Sequence, residues 1–167
     1  MAARQLAEGV CAQGARGSDA HYLVYPIVFL YRHHVELVLK RLLLMLADLA
    51  EKELDHKTSK DLEKHCLYQL WTDLKGFLKS ADDRCGLRID CEDQDGINSY
   101  IQQLSEVDPD SQVFRYARSK KGERLLPEEL KCINIAVFSE HMERLCSFLD
   151  NVDSYLDHML ELRNDMP

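Results

Sequence analysis

The chain has 167 residues and a mass of 19.3 kDa, which is enough for one domain with a sizeable core and excludes the need for a stabilising metal or disulfide. Its 21 Lys and Arg residues against 29 Asp and Glu residues give a formal net charge of -8, which argues against coating nucleic acid through bulk electrostatics and leaves only a local basic patch. Six cysteines form neither a CxxC pair nor a zinc-type spacing, so we interpret them as reduced thiols and expect no cofactor.

Neither a signal peptide nor a membrane span is predicted. The first twenty residues lack an unbroken apolar segment. The one long apolar run is interrupted by Arg32, Glu36, Lys40 and Arg41, well short of the roughly 20 apolar residues that a span requires. We therefore expect a cytoplasmic protein with no membrane partner.

The domain organisation is predicted to be simple. Residues 1–18 are rich in Ala and Gly, and Gly9, Gly14 and Gly17 would interrupt a helix. We expect this segment to be a flexible or briefly helical lead-in, followed by a single helical-bundle domain over residues 19–167.

A long helix around residues 25–46 is the strongest predicted element. Its sequence is apolar on most faces, which is typical of a helix in the middle of a bundle. Ser18 or Asp19 can cap it, and Pro26 is tolerated if the helix properly begins nearby. We expect it to end at about Leu54.

Two further helices are predicted in the middle of the chain. Apolar residues at helical spacing indicate one helix from a cap at Thr58 or Ser59 to about Ala81. Residues 82–96 are acidic and contain glycines, so we expect them to be irregular. A shorter helix is predicted over residues 97–107.

The last third of the chain combines a loop and a helix. Residues 108–127 lose the helical period and contain turn residues, which predicts an ordered loop. Apolar residues from Phe138 to Met159 are then separated by 4, 3, 4, 3, 4 and 3 positions, a pattern typical of a bundle helix. The predicted fold is all-α, a bundle of four main helices with an ordered loop before the C-terminal helix.

Three sequence stretches and the final helix stand in a recognisable order: YPIVFLYRHHVELVLKRLL, HCLYQLW, VDPDSQVFRYARSKKG and the long amphipathic C-terminal helix. In this order they resemble the bacterial HEPN-like helical proteins over roughly residues 25–162. The resemblance implies a bundle that is often paired in a dimer, in a superfamily rich in metal-independent ribonucleases of toxin–antitoxin and antiviral defence systems. In such enzymes a His deprotonates the ribose 2′-hydroxyl and an Arg stabilises charge on the phosphate.

The Arg and His of those ribonucleases stand about four to six residues apart near the last helix. The C-terminal helix here does not contain that motif, since His141 precedes Arg144 and Arg163 has no His after it. Arg16 and His21 are the literal match in the sequence, far from the expected place. The sequence therefore leaves ribonuclease activity open.

Other residues could form a substitute site. The candidate catalytic residues are Arg32, His33, His34, Glu36 and His65. Arg32, Glu36 and Lys40 follow one another at helical spacing, so a histidine could act as base with Glu36 orienting it and Lys40 neutralising a phosphate. The alternative is a buried polar network that locks two helices together, with His65 as a cap or a core hydrogen-bonding residue.

A local basic cluster is the candidate nucleic-acid surface. It comprises Arg115, Arg118, Lys120, Lys121 and Arg124, with Lys40 as a further phosphate contact. The neighbouring Phe114 and Tyr116 fit base stacking on single-stranded RNA. We expect these two aromatic residues to plug the bundle instead, and the charges either contact RNA or remain in solvent.

Two functional hypotheses follow. The first is an HEPN-like RNA-binding or metal-independent RNA-cleaving component of a bacterial defence or toxin–antitoxin system, with RNA as its partner. The alternative is a non-catalytic helical module that forms a homodimer or docks on a partner protein.

Overall fold

A computed structural model describes residues 2–12, 18–50, 53–85, 91–116, 118–126 and 133–165. They form six helices: α1 (Ala2–Ala12), α2 (Ser18–Leu49), α3 (His56–Glu63), α4 (Leu67–Cys85), α5 (Cys91–Val107) and α6 (Ile135–Asn164). These residues contain no strand beyond one isolated bridge between Arg118 and Arg124. The predicted all-α class is confirmed, with six helices in place of the four that were expected.

Helix α2 is the centre of the bundle and packs against α1, α4 and α6. Ile27, Tyr31, Val35 and Leu39 recur every four residues and are fully buried, which is the burial expected of a helix that is apolar on most faces. The helix begins well before Pro26, so this proline lies in its interior. The missing N–H of a proline removes a single backbone hydrogen bond, and a helix of 32 residues tolerates that loss.

Helix α1 gives the predicted lead-in its briefly helical form over Ala2–Ala12, and this helix packs into the bundle. Ala3, Ala7 and Val10 lie on one face and are buried against α2 and α6. Small side chains at this spacing let the helices approach closely, and alanine has the highest helix propensity. Gly9 lies inside the helix and does not end it.

The predicted second helix is divided in two. Helix α3 is capped by Asp55, whose carboxylate accepts a hydrogen bond from the Thr58 N–H at 2.7 Å, so the cap lies before the expected Thr58 or Ser59. Lys64 has an extended backbone and ends α3. The chain then starts again as α4, which buries Leu67 and Trp71.

The acidic segment over residues 82–96, which was predicted to be irregular, is helical wherever the structure describes it. Its first residues complete α4, and its last residues begin α5. Gly96 lies inside α5 and does not break the helix, contrary to the expectation. Ile97 and Ile101 bury the apolar side of α5 in the core.

Helix α6 confirms the clearest sequence pattern. Its buried residues include Met142, Leu145, Leu149, Val152 and Leu156, as the alternating spacing of 4 and 3 predicts. Asn134 caps the helix because its side-chain oxygen accepts hydrogen bonds from the Ala136 and Val137 N–H groups. Helix α6 packs along α2.

The segment between α5 and α6 is ordered and packed onto α2 where it is described. Val113 and Phe114 form a small second apolar cluster with Val28 of α2. The Asp108 carboxylate accepts hydrogen bonds from the Gln112 and Val113 N–H groups. Phe114 therefore plugs the bundle as expected, but Tyr116 does not, since it is 51% exposed.

Of the helices that the structure describes, none is sufficiently long and apolar to cross a membrane.

Candidate functional site

Arg32 is the centre of a buried polar cluster that joins three segments of the chain. Its side chain is 0% exposed. Its Nε donates to the Asp108 carbonyl at 3.0 Å, and its Nη2 donates to the carbonyl of His65 at 2.6 Å. Its Nη1 donates to Glu36 Oε2 at 3.2 Å. One guanidinium thus fastens α2 to the loop after α5 and to the link before α4.

Asp108 is the second anchor of this clamp. Its Oδ1 accepts two backbone N–H groups of the loop, while its Oδ2 lies 3.4 Å from Arg32 Nε. The Nε hydrogen points to the Asp108 carbonyl, so the contact with Oδ2 is an ion pair without a hydrogen bond. The two hydrogen bonds to Oδ1 hold the loop where it turns sharply at Ser111, which is buried and has a positive φ of 57°.

Glu36 connects the clamp to the surface. Besides Arg32, its carboxylate accepts Lys40 Nζ at 2.9 Å and contacts His65 Nδ1 at 2.8 Å, both through Oε1. Burial by itself raises the pKa of Glu36, but the hydrogen bonds and positive charge of Lys40 and His65 outweigh it, so the pKa lies below its ordinary value. Glu36 is therefore an anion at neutral pH.

His65 is the exposed member of the cluster. It lies in the short link between α3 and α4, and its side chain is 48% exposed, whereas that of Glu36 is 2% exposed. A carboxylate that accepts the hydrogen of Nδ1 fixes the ring orientation and leaves Nε2 as a proton acceptor. Lys40 places a 20% exposed cation on the same carboxylate. The arrangement can perform acid–base chemistry at the surface.

A second group of candidate residues forms an aromatic and cationic stack. The rings of Phe29 and His33 are parallel within 9° with centroids 5.5 Å apart. The guanidinium of Arg115 lies 5.3 Å from the Phe29 ring and 5.5 Å from the Tyr116 ring. Stacked aromatic and guanidinium planes of this kind are typical of surfaces that receive nucleic-acid bases.

A tight turn over residues 118–124 presents further basic residues of the predicted cluster. The Ser119 N–H donates to the Glu123 carbonyl at 2.8 Å, and Arg118 donates to the Gly122 carbonyl at 2.8 Å. Gly122 has a φ of 85°, which glycine adopts without a steric cost. Lys120 and Lys121 are exposed at the tip of this turn.

The structure therefore separates the predicted site residues into groups. Arg32, Glu36, Lys40 and His65 are joined by direct contacts, while His33 belongs to the stack with Arg115. The side chain of His34 is half-buried and forms no hydrogen bond with any described residue. Arg16 and the side chain of His21 lie outside the described part of the chain.

Sequence reasoning missed Phe29 and placed Asp108 only among the turn residues of the predicted loop over residues 108–127. Phe29 precedes His33 by four residues, a spacing that places two rings on the same helix face and could have indicated the stack. Nothing in the sequence indicates that Arg32 reaches Asp108, because 76 residues separate them.

Comparisons of the chain with protein-family models, with curated proteins and with solved structures found no match.

Proposed function

We propose that the protein binds single-stranded RNA and cleaves it without a metal ion, with His65 as the acid–base group. The observation that carries the proposal is the contact of 2.8 Å between His65 Nδ1 and the buried carboxylate of Glu36. The imidazole of His65 is itself half-exposed, so a substrate can reach it. The resemblance to HEPN-like proteins extends the proposal to a role in a bacterial defence or toxin–antitoxin system.

The chemistry uses the exposed nitrogen of His65. Nε2 takes the proton of a ribose 2′-hydroxyl, and the oxygen then attacks the adjacent phosphorus. The bond from phosphorus to the 5′-oxygen breaks, that oxygen takes a proton from a water molecule, and the imidazolium returns its own proton to solvent. The products are a 2′,3′-cyclic phosphate and a 5′-hydroxyl. Glu36 stabilises the charged imidazole, and Lys40 balances the negative charge of the phosphate.

The role of Arg32 in this proposal is to position the other groups. Its guanidinium is fully buried and already contacts Asp108, Glu36 and the His65 carbonyl. It could reach a phosphate only if this clamp opened. The substitute catalytic set is therefore reduced to His65, with Glu36 and Lys40 supporting it.

The position of the stack supports RNA as the substrate. Phe29, His33, Glu36 and Lys40 lie within about 60° of one another around α2, and Phe29 and Glu36 are about 10 Å apart along its axis. A strand whose bases stack on Phe29 and Arg115 would thus pass close to His65. Base stacking with a few cations also suits a chain with a net charge of -8, because it does not depend on bulk electrostatics.

Cleavage of single-stranded RNA in the presence of a chelator tests the proposal. The wild-type protein is expected to give 2′,3′-cyclic phosphate ends, and His65→Gln should reduce the rate by about 100-fold or more. His34→Gln is the matched control, and a DNA strand of the same sequence should bind but remain intact. Equal cleavage by the His65→Gln variant would exclude His65 as the acid–base group.

A non-catalytic module that forms a homodimer is the second candidate function. Leu37 and Leu44 lie on one face of α2, about two turns apart, and are 53% and 54% exposed. Apolar side chains exposed on the same face are typical of an interface. Sedimentation of the wild type and of a Leu37→Asp, Leu44→Asp double variant tests this function. A dimer that becomes a monomer supports it, and a monomeric wild type contradicts it.

A further inference from the structure

A cavity of about 890 Å³ lies on the opposite side of α2 from the RNA-binding surface. It opens between α1 and α5, with α6 along its length, and Tyr31 is the residue of α2 that reaches it. Tyr31 is about 200° around the helix from Phe29 and from His33. The cavity is therefore separate from the candidate site around His65.

The described side chains that line this cavity carry three carboxylates and two guanidinium groups, so one negative charge is in excess and Glu143 shares Arg4 with Glu8. Arg4 donates to Glu8 at 2.9 Å, and Arg144 donates to Glu140 at 2.7 Å. Glu143 accepts a hydrogen bond from the neutral Tyr31 hydroxyl at 2.7 Å, and its closest cation is Arg4 at 3.9 Å. The lining thus carries an excess negative charge at Glu143.

Glu143 is held in a partly apolar environment. Its side chain is 35% exposed, so it is reachable from the cavity while much of its hydration is lost. Burial, followed by the hydrogen bond to Glu143, raises the pKa of Tyr31, which therefore remains a neutral donor and does not compensate the charge. An ammonium or guanidinium group is the natural partner of such a carboxylate.

The cavity also offers apolar walls for the rest of a ligand. Ile97 and Tyr100 of α5 line one side, Ala7 of α1 lines the other, and Phe148 contributes an aromatic ring from α6. A volume in this range suits a small organic molecule, and a few polar groups among apolar walls are typical of such sites. Aromatic rings near a carboxylate also favour cations.

We propose that this cavity binds a small organic cation, an amine or guanidine attached to an apolar or aromatic body. The charged group pairs with Glu143, and the apolar body lies between Ile97, Tyr100 and Phe148. This binding site is independent of RNA cleavage.

Calorimetric titration of the full chain with 2-phenylethylamine tests the proposal, with neutral 2-phenylethanol as the matched ligand. The amine should bind at least about tenfold more tightly than the alcohol, because a charge-assisted hydrogen bond is stronger than a neutral one. Glu143→Gln should weaken amine binding by about tenfold or more and leave alcohol binding unchanged. Glu140→Gln is the control variant, since Arg144 already pairs with that residue.

Thermal unfolding of each variant verifies that it is folded. Ile97→Trp is a second variant, whose larger side chain occupies the cavity without changing the charge of its lining. This variant should abolish amine binding. Equal binding of amine and alcohol, or equal loss in Glu140→Gln and Glu143→Gln, would overturn the proposal.

His65→Gln should bind the amine like the wild type, so failure of RNA cleavage and failure of this inference are distinguishable.

Discussion

The side chain of Arg32 links parts of the chain that are distant in sequence. It lies on α2 and hydrogen-bonds to Asp108 and His65, which are 76 and 33 residues away. A buried cation is stable only when its donors are satisfied, and here three carbonyl groups and the Glu36 carboxylate accept its hydrogen bonds, while the Asp108 carboxylate adds an ion pair. Removing the cation would leave Glu36 and Asp108 buried with too few partners.

Arg32→Met should therefore destabilise the protein by about 3–5 kcal/mol, because one partner of a buried ion pair is lost while the carboxylates remain. Urea unfolding followed by circular dichroism measures the change. Arg144→Met is the matched control, since Arg144 pairs with Glu140 on the surface, and it should cost less than about 1 kcal/mol. Similar losses in both variants would contradict the clamp.

The lowered pKa of Glu36 gives a prediction for the pH dependence of stability. Because the folded-state pKa lies below the ordinary value of 4.5, the stabilisation is present above that value and is lost as the pH falls through the folded-state pKa. Unfolding free energies of the wild type and Glu36→Gln should differ most near neutral pH and converge at acidic pH. A difference that is independent of pH would show that the ionised carboxylate is not the stabilising group.

At the scale of elements, periodicity predicted the long helices and failed at their ends. Helix α6 follows its apolar spacing because one continuous face packs against α2. The division between α3 and α4 has no apolar signal, since Lys64 adopts an extended backbone inside a sequence that reads as helical. Asp55 and Asn134 instead mark the starts of α3 and α6 through side-chain hydrogen bonds.

The cap of α6 can be tested directly. Asn134→Ala should destabilise the protein by about 1 kcal/mol, because the Ala136 and Val137 N–H groups lose their acceptor. Asn134→Asp should retain the stability, since aspartate accepts the same hydrogen bonds and favours a helix N-terminus. Chemical unfolding of the three proteins measures both effects, and equal stability of the Ala and Asp variants would exclude the cap.

At the scale of the whole molecule, α1 completes the core that α2 and α6 begin. It covers both helices with Ala3, Ala7 and Val10 and also forms one wall of the cavity above Tyr31. Residues of α1, α2, α4, α5 and α6 therefore share one apolar core. The sequence did not reveal that this segment belongs to the core. The core was predicted from the periodicity of apolar residues, whereas residues 1–18 stood out for their Ala and Gly content.

Deletion of residues 1–12 should lower the free energy of unfolding by at least about 2 kcal/mol, since the burial of Val10 alone contributes roughly that much. Gly9→Ala should act in the opposite direction by about 0.5–1 kcal/mol, because a Cβ at this helical position meets nothing within 4 Å. Thermal and urea unfolding measure both changes. An unchanged midpoint after the deletion would show that α1 is not part of the core.

The sequence alone determined the all-α class, the central position of α2, the seam of α6 and the polar line of Arg32, Glu36 and Lys40. These features depend on spacing within one helix, and helical geometry converts such spacing into a face. Tertiary structure decided what each face meets. It buried Arg32 under the Asp108 loop, brought His65 to Glu36, exposed Tyr116 and left a cavity beside Glu143. Contacts between distant segments depend on how the helices pack together, and no local pattern encodes them.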